Sequence, residues 1–190
     1  MRKLGISCMD LLAGVGAMAS ESVKKDVKQN DMETLELIQE WDKTFPQSDK
    51  VEHSKVTFHN RYGITLAADL YKPKNAECPL AAIAVSGPYG AVKEQVSGRY
   101  AQTMAERGFL TIAFDPSFYG ESSGEPRYLT SPEISTDDFS AAVDYLLTRD
   151  DVAPDRIGLI GIFDWGGFPP NPAPTYPRLT DPTLSTMCAL

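Results

Sequence analysis

The stretch Gly161-Ile162-Phe163-Asp164-Trp165-Gly166-Gly167 carries an apolar run directly into a glycine pair. A chain that turns sharply from a strand into a helix is pinched there, and small residues beside the apex let it pass. Such a turn holds its apex side chain clear of the surroundings, where a nucleophile can work. Asp164 carries an oxygen that can attack an electrophilic carbon. In the neighbouring register the apex is Phe163, which has no nucleophilic atom. The two histidines, His53 and His59, both precede this turn on the first hairpin, where solvated or edge-strand roles are expected rather than catalysis.

Around these residues, 190 positions with 42% hydrophobic and 23% charged side chains are enough for one sizeable core, which implies one globular domain. The net charge of −8 repels nucleic acid and anionic membrane surfaces, so neither is an expected partner. No apolar run is long enough to span a bilayer. Residues 1–19 begin with Arg2 and Lys3, continue through a mostly apolar stretch and end at Ala17-Met18-Ala19, the order of a cleaved signal peptide. That order predicts a periplasmic or secreted protein. Cys8 would leave with the signal, and the widely separated Cys78 and Cys188 form no zinc pattern. No metal or other cofactor is expected.

The elements that must position the turn follow from periodicity. Residues 20–50 read as a leader, polar at first and then helical through Leu35, Ile38 and Trp41. Alternation at Val56 and Phe58, a turn at "NRYG", and alternation at Ile64, Leu66, Ala68 and Leu70 predict two antiparallel strands. "LAAIAVSG", "FLTIAFD" and "DRIGLIGIF" are apolar without alternation, the mark of strands buried on both faces of a parallel sheet. A helix containing Tyr100, Ala101, Met104 and Ala105 and closed by Gly108 separates the first two runs. A second, with Phe139, Val143, Leu146 and Leu147 inward, starts near Ser135, where Ser135 and Asp138 could form a capping box. The result is an α/β architecture: a mainly parallel sheet with an antiparallel N-terminal hairpin, flanked by helices. Ligands in such sheets bind outside the carboxyl ends of the strands, which here means the loops at 86–94, 115–127 and 163 onward.

Those three loops, "VSGPYGAVKEQ", "FDPSFYGESSGEPR" and "RIGLIGIFDWGG", each at the end of a buried strand, resemble the N-terminal half of a bacterial α/β-hydrolase. The similarity runs over about residues 50–167 and is greatest to the dienelactone-hydrolase-like and peptidase-like branches. It implies hydrolysis of a carboxylic ester or amide in a small-molecule substrate. It also implies that the loop Ser86–Gly90 supplies one donor of the oxyanion hole, the Tyr89 N–H, with the second at Asp164 or Trp165. The loop holding Asp115, Gly120, Ser122 and Gly124 would form the wall of the site, with Asp115 an anchor rather than a catalyst.

Enzymes of this kind often read Gly-Ile-Cys-Gly-Trp-Gly-Gly at the turn, which puts the family's nucleophile position on Phe163. The other register, Asp164-Trp165-Gly166-Gly167, is similar to the elbow of haloalkane dehalogenases and makes Asp164 the nucleophile. In both, the histidine follows the nucleophile along the chain, whereas here the carboxylate Asp181 is the only such partner downstream. Pro169, Pro170, Pro172, Pro174, Pro177 and Pro182 forbid a regular helix after the turn, since each interior proline costs a helix about 3 kcal/mol. These departures imply four segments: a signal at 1–19, a leader at 20–50, the N-terminal part of a hydrolase domain at 51–167, and a proline-rich irregular tail at 168–190. They further imply a chain cut short after the turn, catalytically inactive, whose strand at 156–163 stands at an open edge of the sheet. A non-catalytic binding or folding remnant is the corresponding alternative.

Overall fold

The uninterrupted apolar runs become the centre of one sheet. A computed structural model of the chain describes residues 35–76, 79–167 and 181–186. The expected signal peptide, the first part of the leader, all three cysteines and most of the tail lie outside the described residues. Among the described residues, β1 (Val51–His59), β2 (Thr65–Pro73), β3 (Leu80–Ser86), β4 (Leu110–Phe114), β5 (Val152–Ile162) and β6 (Asp181–Thr186) are joined by α1 (Val96–Ala105) and α2 (Pro132–Leu147). The strand order is β1-β2-β4-β3-β5-β6. β1 and β2 pair antiparallel, as do β2 and β4, while the β4, β3, β5 and β6 pairings are all parallel. This is the α/β-hydrolase arrangement that the sequence implies.

Each central strand is apolar on both faces because each face has a cover. Ala82 and Ala84 of β3 join Leu110, Ile112, Leu159, Phe139, Val143 and Leu146 in the core under α2. Their neighbours Ile83 and Val85 join Ala113, Ile160, Ile162, Ala101 and Ala105 in the core under α1. A period-2 backbone with helices on both sides therefore reads as a continuous apolar run. None of the described helices is long and apolar enough to cross a membrane.

Three expectations are corrected. Residues 35–46 form no helix: Trp41 instead lays its ring edge-on against Phe45 and His53, at 5.7 and 5.2 Å between centroids, and donates its indole N–H to the Phe45 carbonyl. The apolar spacing there serves contacts with the sheet. α2 begins earlier than Ser135, with Ser131 as the cap accepting from the Ile134 N–H and Pro132 in the first turn. Proline is favoured at that position because its missing N–H would find no helical partner there. Finally, Asp181–Thr186 is not irregular: it pairs in parallel with β5, so β5 is an interior strand and does not stand at an open edge.

The hairpin turn is organised by Asn60. Its side-chain oxygen accepts the N–H groups of Tyr62 and Ile64, both at 3.0 Å, while Gly63 takes the left-handed conformation at φ 76°. Its amide group donates to Ser117 Oγ and Asp138 Oδ1, which ties the hairpin to the loop after β4 and to α2.

Candidate active site

β5 delivers the chain to a short 3-10 turn over Phe163–Gly167. Phe163 has φ 59°, in the left-handed region that non-glycine residues avoid at a cost of about 1–2 kcal/mol. A side chain held in this conformation at the end of a central strand is the geometry of a nucleophile elbow. The surroundings agree with it. A β-carbon on Gly161 would collide with the Trp165 carbonyl, so the chain passes over itself here only because Gly161 lacks one. Phe163 is 39% exposed, and Asp164 beside it is exposed as well. Trp165 turns inward and is buried in the α2-side core.

The loop after β3 comes directly to this turn. Gly87, at φ 97°, lies so close that a β-carbon on it would stand 2.6 Å from both the Ile162 carbonyl oxygen and the Trp165 Cβ. Two residues further on, the Tyr89 ring lies 5.9 Å from that of Trp165. The structure therefore brings Tyr89, Phe163, Asp164 and Trp165 together, all four positions the sequence points to. A fifth residue, an aromatic one that the sequence does not single out, belongs with them. Tyr119, from the loop after β4, is 6.0 Å from Tyr89 and 6.3 Å from Trp165. Its hydroxyl meets Thr130 Oγ1 at 2.8 Å, and burial raises its phenol above the ordinary tyrosine value. The signal for it was an aromatic residue in a polar loop at the carboxyl end of a strand, "SFYGESS".

The loop wall is rigidly built. Asp115 is fully buried and accepts the Lys93 N–H at 2.7 Å, the Lys93 ammonium at 2.9 Å and the Glu121 N–H at 3.0 Å. Burial pushes its carboxyl up to about 6 against the pull of Lys93. It is the anchor that the sequence suggests. The nearby serines are structural too. Ser86 donates to the Phe114 carbonyl, Ser122 to the Asp115 carbonyl, and Ser117 to Asp138 Oδ1. None of these hydroxyls is aimed at the turn as a substitute nucleophile.

The histidines are not brought to the site. His53 Nε2 is 2.9 Å from Asp69 Oδ1, and His59 Nδ1 is 3.1 Å from Thr65 Oγ1. Both sit on β1, which β2, β4 and β3 separate from β5. Four strand spacings place β1 about 19 Å from the elbow strand. Among the described residues there is no group of histidine, cysteine and carboxylate side chains able to hold a metal.

Comparison with known proteins agrees with this geometry. Residues 62–184 match the model of the X-Pro dipeptidyl-peptidase (S15) family. PA2218, an uncharacterized protein of Pseudomonas aeruginosa, is 62% identical over 154 residues, covering 80% of this chain and 42% of that protein. Its crystal structure superposes with a TM-score of 0.75, covering 77% of this chain and 46% of that one. YcjY of Escherichia coli is 46% identical over 125 residues, covering 64% of this chain and 41% of that protein. The α/β-hydrolase GrgF of Penicillium is 25% identical with a TM-score of 0.61, covering 67% of this chain and 43% of that one. The chain thus spans less than half the length of these relatives.

Proposed function

From the premise that this chain belongs to the X-Pro dipeptidyl-peptidase (S15) family of α/β-hydrolases, we propose that it carries the scaffold of an ester- or amide-bond hydrolase whose elbow presents no nucleophile. The observation that carries the reading is Phe163. It holds the strained left-handed conformation at the end of β5, where this reading puts the family's nucleophile, and offers only an aromatic ring. The Gly87–Tyr89 loop, which this reading makes one side of the oxyanion hole, packs on Trp165 and supports it. In a working enzyme of this architecture the apex atom attacks the carbonyl carbon, and the backbone N–H groups take up the negative charge on its oxygen. With Phe163 the first step has no donor of electrons.

The test restores that atom. Phe163→Cys and the unmodified chain are incubated with a p-nitrophenyl ester, and intact mass is measured. The reading expects one acyl group on residue 163 of the variant and none on the unmodified chain. Absence of acylation in a folded Phe163→Cys variant refutes the assignment of the apex. Steady turnover by the unmodified chain that disappears in Asp164→Asn would move the chemistry to Asp164.

A further inference from the structure

We propose that Lys93 is a positioning residue: its buried ammonium ties together the roots of the two loops that carry Tyr89 and Tyr119, and so fixes both rings against Trp165 of the elbow. The inference is independent of which reaction, if any, the site performs.

The ammonium has three protons and three carboxylate acceptors. These are Glu94 Oε1 at 2.5 Å, Glu121 Oε2 at 2.7 Å and Asp115 Oδ2 at 2.9 Å. Its donors are therefore satisfied, which is the condition for a fully buried lysine to be tolerated. Burial alone would lower its affinity for a proton, yet the charges of Asp115 and Glu94 outweigh that and hold it above the ordinary lysine range. Lys93 and Glu94 belong to the β3–α1 loop; Asp115 and Glu121 belong to the loop after β4. The tie is doubled by the backbone, because the Lys93 and Glu121 N–H groups both donate to Asp115.

The same carboxylates extend the network outward. Glu121 also holds Lys55 of β1 at 2.8 Å and accepts the Ile38 N–H at 2.8 Å. Lys43 bridges Asp42 at 2.7 Å and Asp69 at 3.1 Å. Residues 38–46 are thereby strapped across the α1 side of the sheet, and Glu121 and Glu94, two partners of Lys93, are the points at which this strap meets the loops of the candidate site.

Removing the ammonium leaves the buried Asp115 without a cation beside Glu94 and Glu121, which then share, among the described residues, only Lys55, at 3.6 and 2.8 Å. Like charges at short range in a low-dielectric interior drive the two loop roots apart. Tyr89 and Tyr119 then lose their seat on Trp165, although the sheet beneath is unchanged. A lysine with a merely structural role would lower the melting temperature without changing the Trp165 environment in the folded protein.

The chain has two tryptophans, so Trp165 is read alone in a Trp41→Phe background. Acrylamide quenching of Trp165 fluorescence is measured well below the thermal transition for Lys93→Met and for Lys72→Met. The second variant breaks a 2.9 Å ion pair with Asp151 outside the network and serves as the control for lost stability. The proposal expects the quenching constant to rise by about twofold or more in Lys93→Met, with the far-ultraviolet circular dichroism retained, and to stay unchanged in Lys72→Met. If Lys93→Met does not fold, Lys93→Gln, which keeps a polar donor but removes the charge that joins the two loops, is expected to show the same rise. Unchanged quenching in the folded variants, or an equal rise in Lys72→Met, overturns it.

Discussion

Gly87, in the loop after β3, lies so close to Trp165, in the turn after β5, that a β-carbon on Gly87 would stand 2.6 Å from the Trp165 Cβ. Two loops that meet at this distance without side chains between them form one rigid surface. On it stand Phe163 at the apex and Tyr89 at the side.

Gly87→Ala is expected to destabilise the fold by about 3 kcal/mol or more, since it combines a left-handed backbone with an overlap against backbone and a buried indole. Gly90→Ala separates the two contributions. Gly90 is also left-handed, at φ 76°, but a β-carbon there meets nothing within 4 Å. Its expected cost is about 1 kcal/mol, the conformational part alone. Urea unfolding of both variants is the measurement, and equal costs would show that the close approach is absent.

The elements legible in the sequence are those whose pattern records burial. In β3, alternate residues enter two different cores, so the run has no polar gap and announces a covered strand. The elbow was legible for a different reason: only glycine at 161 lets the chain clear the Trp165 carbonyl. What escaped is what depends on partners distant in the chain. Trp41 and Ile38 sit at helical spacing, yet their contacts are to His53 and Glu121. Lys93 reads as a surface lysine until Asp115, 22 positions later, returns beside it. β6 is a short polar segment that is a strand only because β5 offers it a ladder.

The residue order at the N-terminus leads us to propose export with cleavage after Ala19. Mass spectrometry of the protein from its native host is expected to find Ser20 as the first residue. Recovery of Met1 in the cytosolic fraction would refute it.

The last expectation concerns pH, and its sign follows from two kinds of carboxylate. Asp138 of α2 is buried, and burial pushes its carboxyl from an ordinary 3.8 up to about 6, despite the bonds it accepts from Ser117 and Asn60. Burial moves Asp115 in the same direction, also to about 6. Because the folded value exceeds the unfolded one, the stability these two groups contribute is complete below about pH 4 and is lost as pH rises through 6. Asp151 behaves oppositely: hydrogen bonds from Arg149, with Lys72 adding to them, lower it to about 2. Its contribution is complete above pH 4 and is lost as pH falls toward 2. Taken together these three groups place the maximum of stability near pH 4. From there to about pH 6 each raised carboxyl reduces it by on the order of 1 kcal/mol per pH unit, and the loss levels off above 6. Denaturant midpoints at pH 5 and pH 7 should show the higher stability at pH 5, and Asp138→Asn, which cannot ionise, should reduce that difference by about half. A wild-type chain more stable at pH 7 than at pH 5, or a difference untouched by Asp138→Asn, would mean that Asp138 is already ionised in the folded protein at little cost, held by the Ser117 and Asn60 bonds.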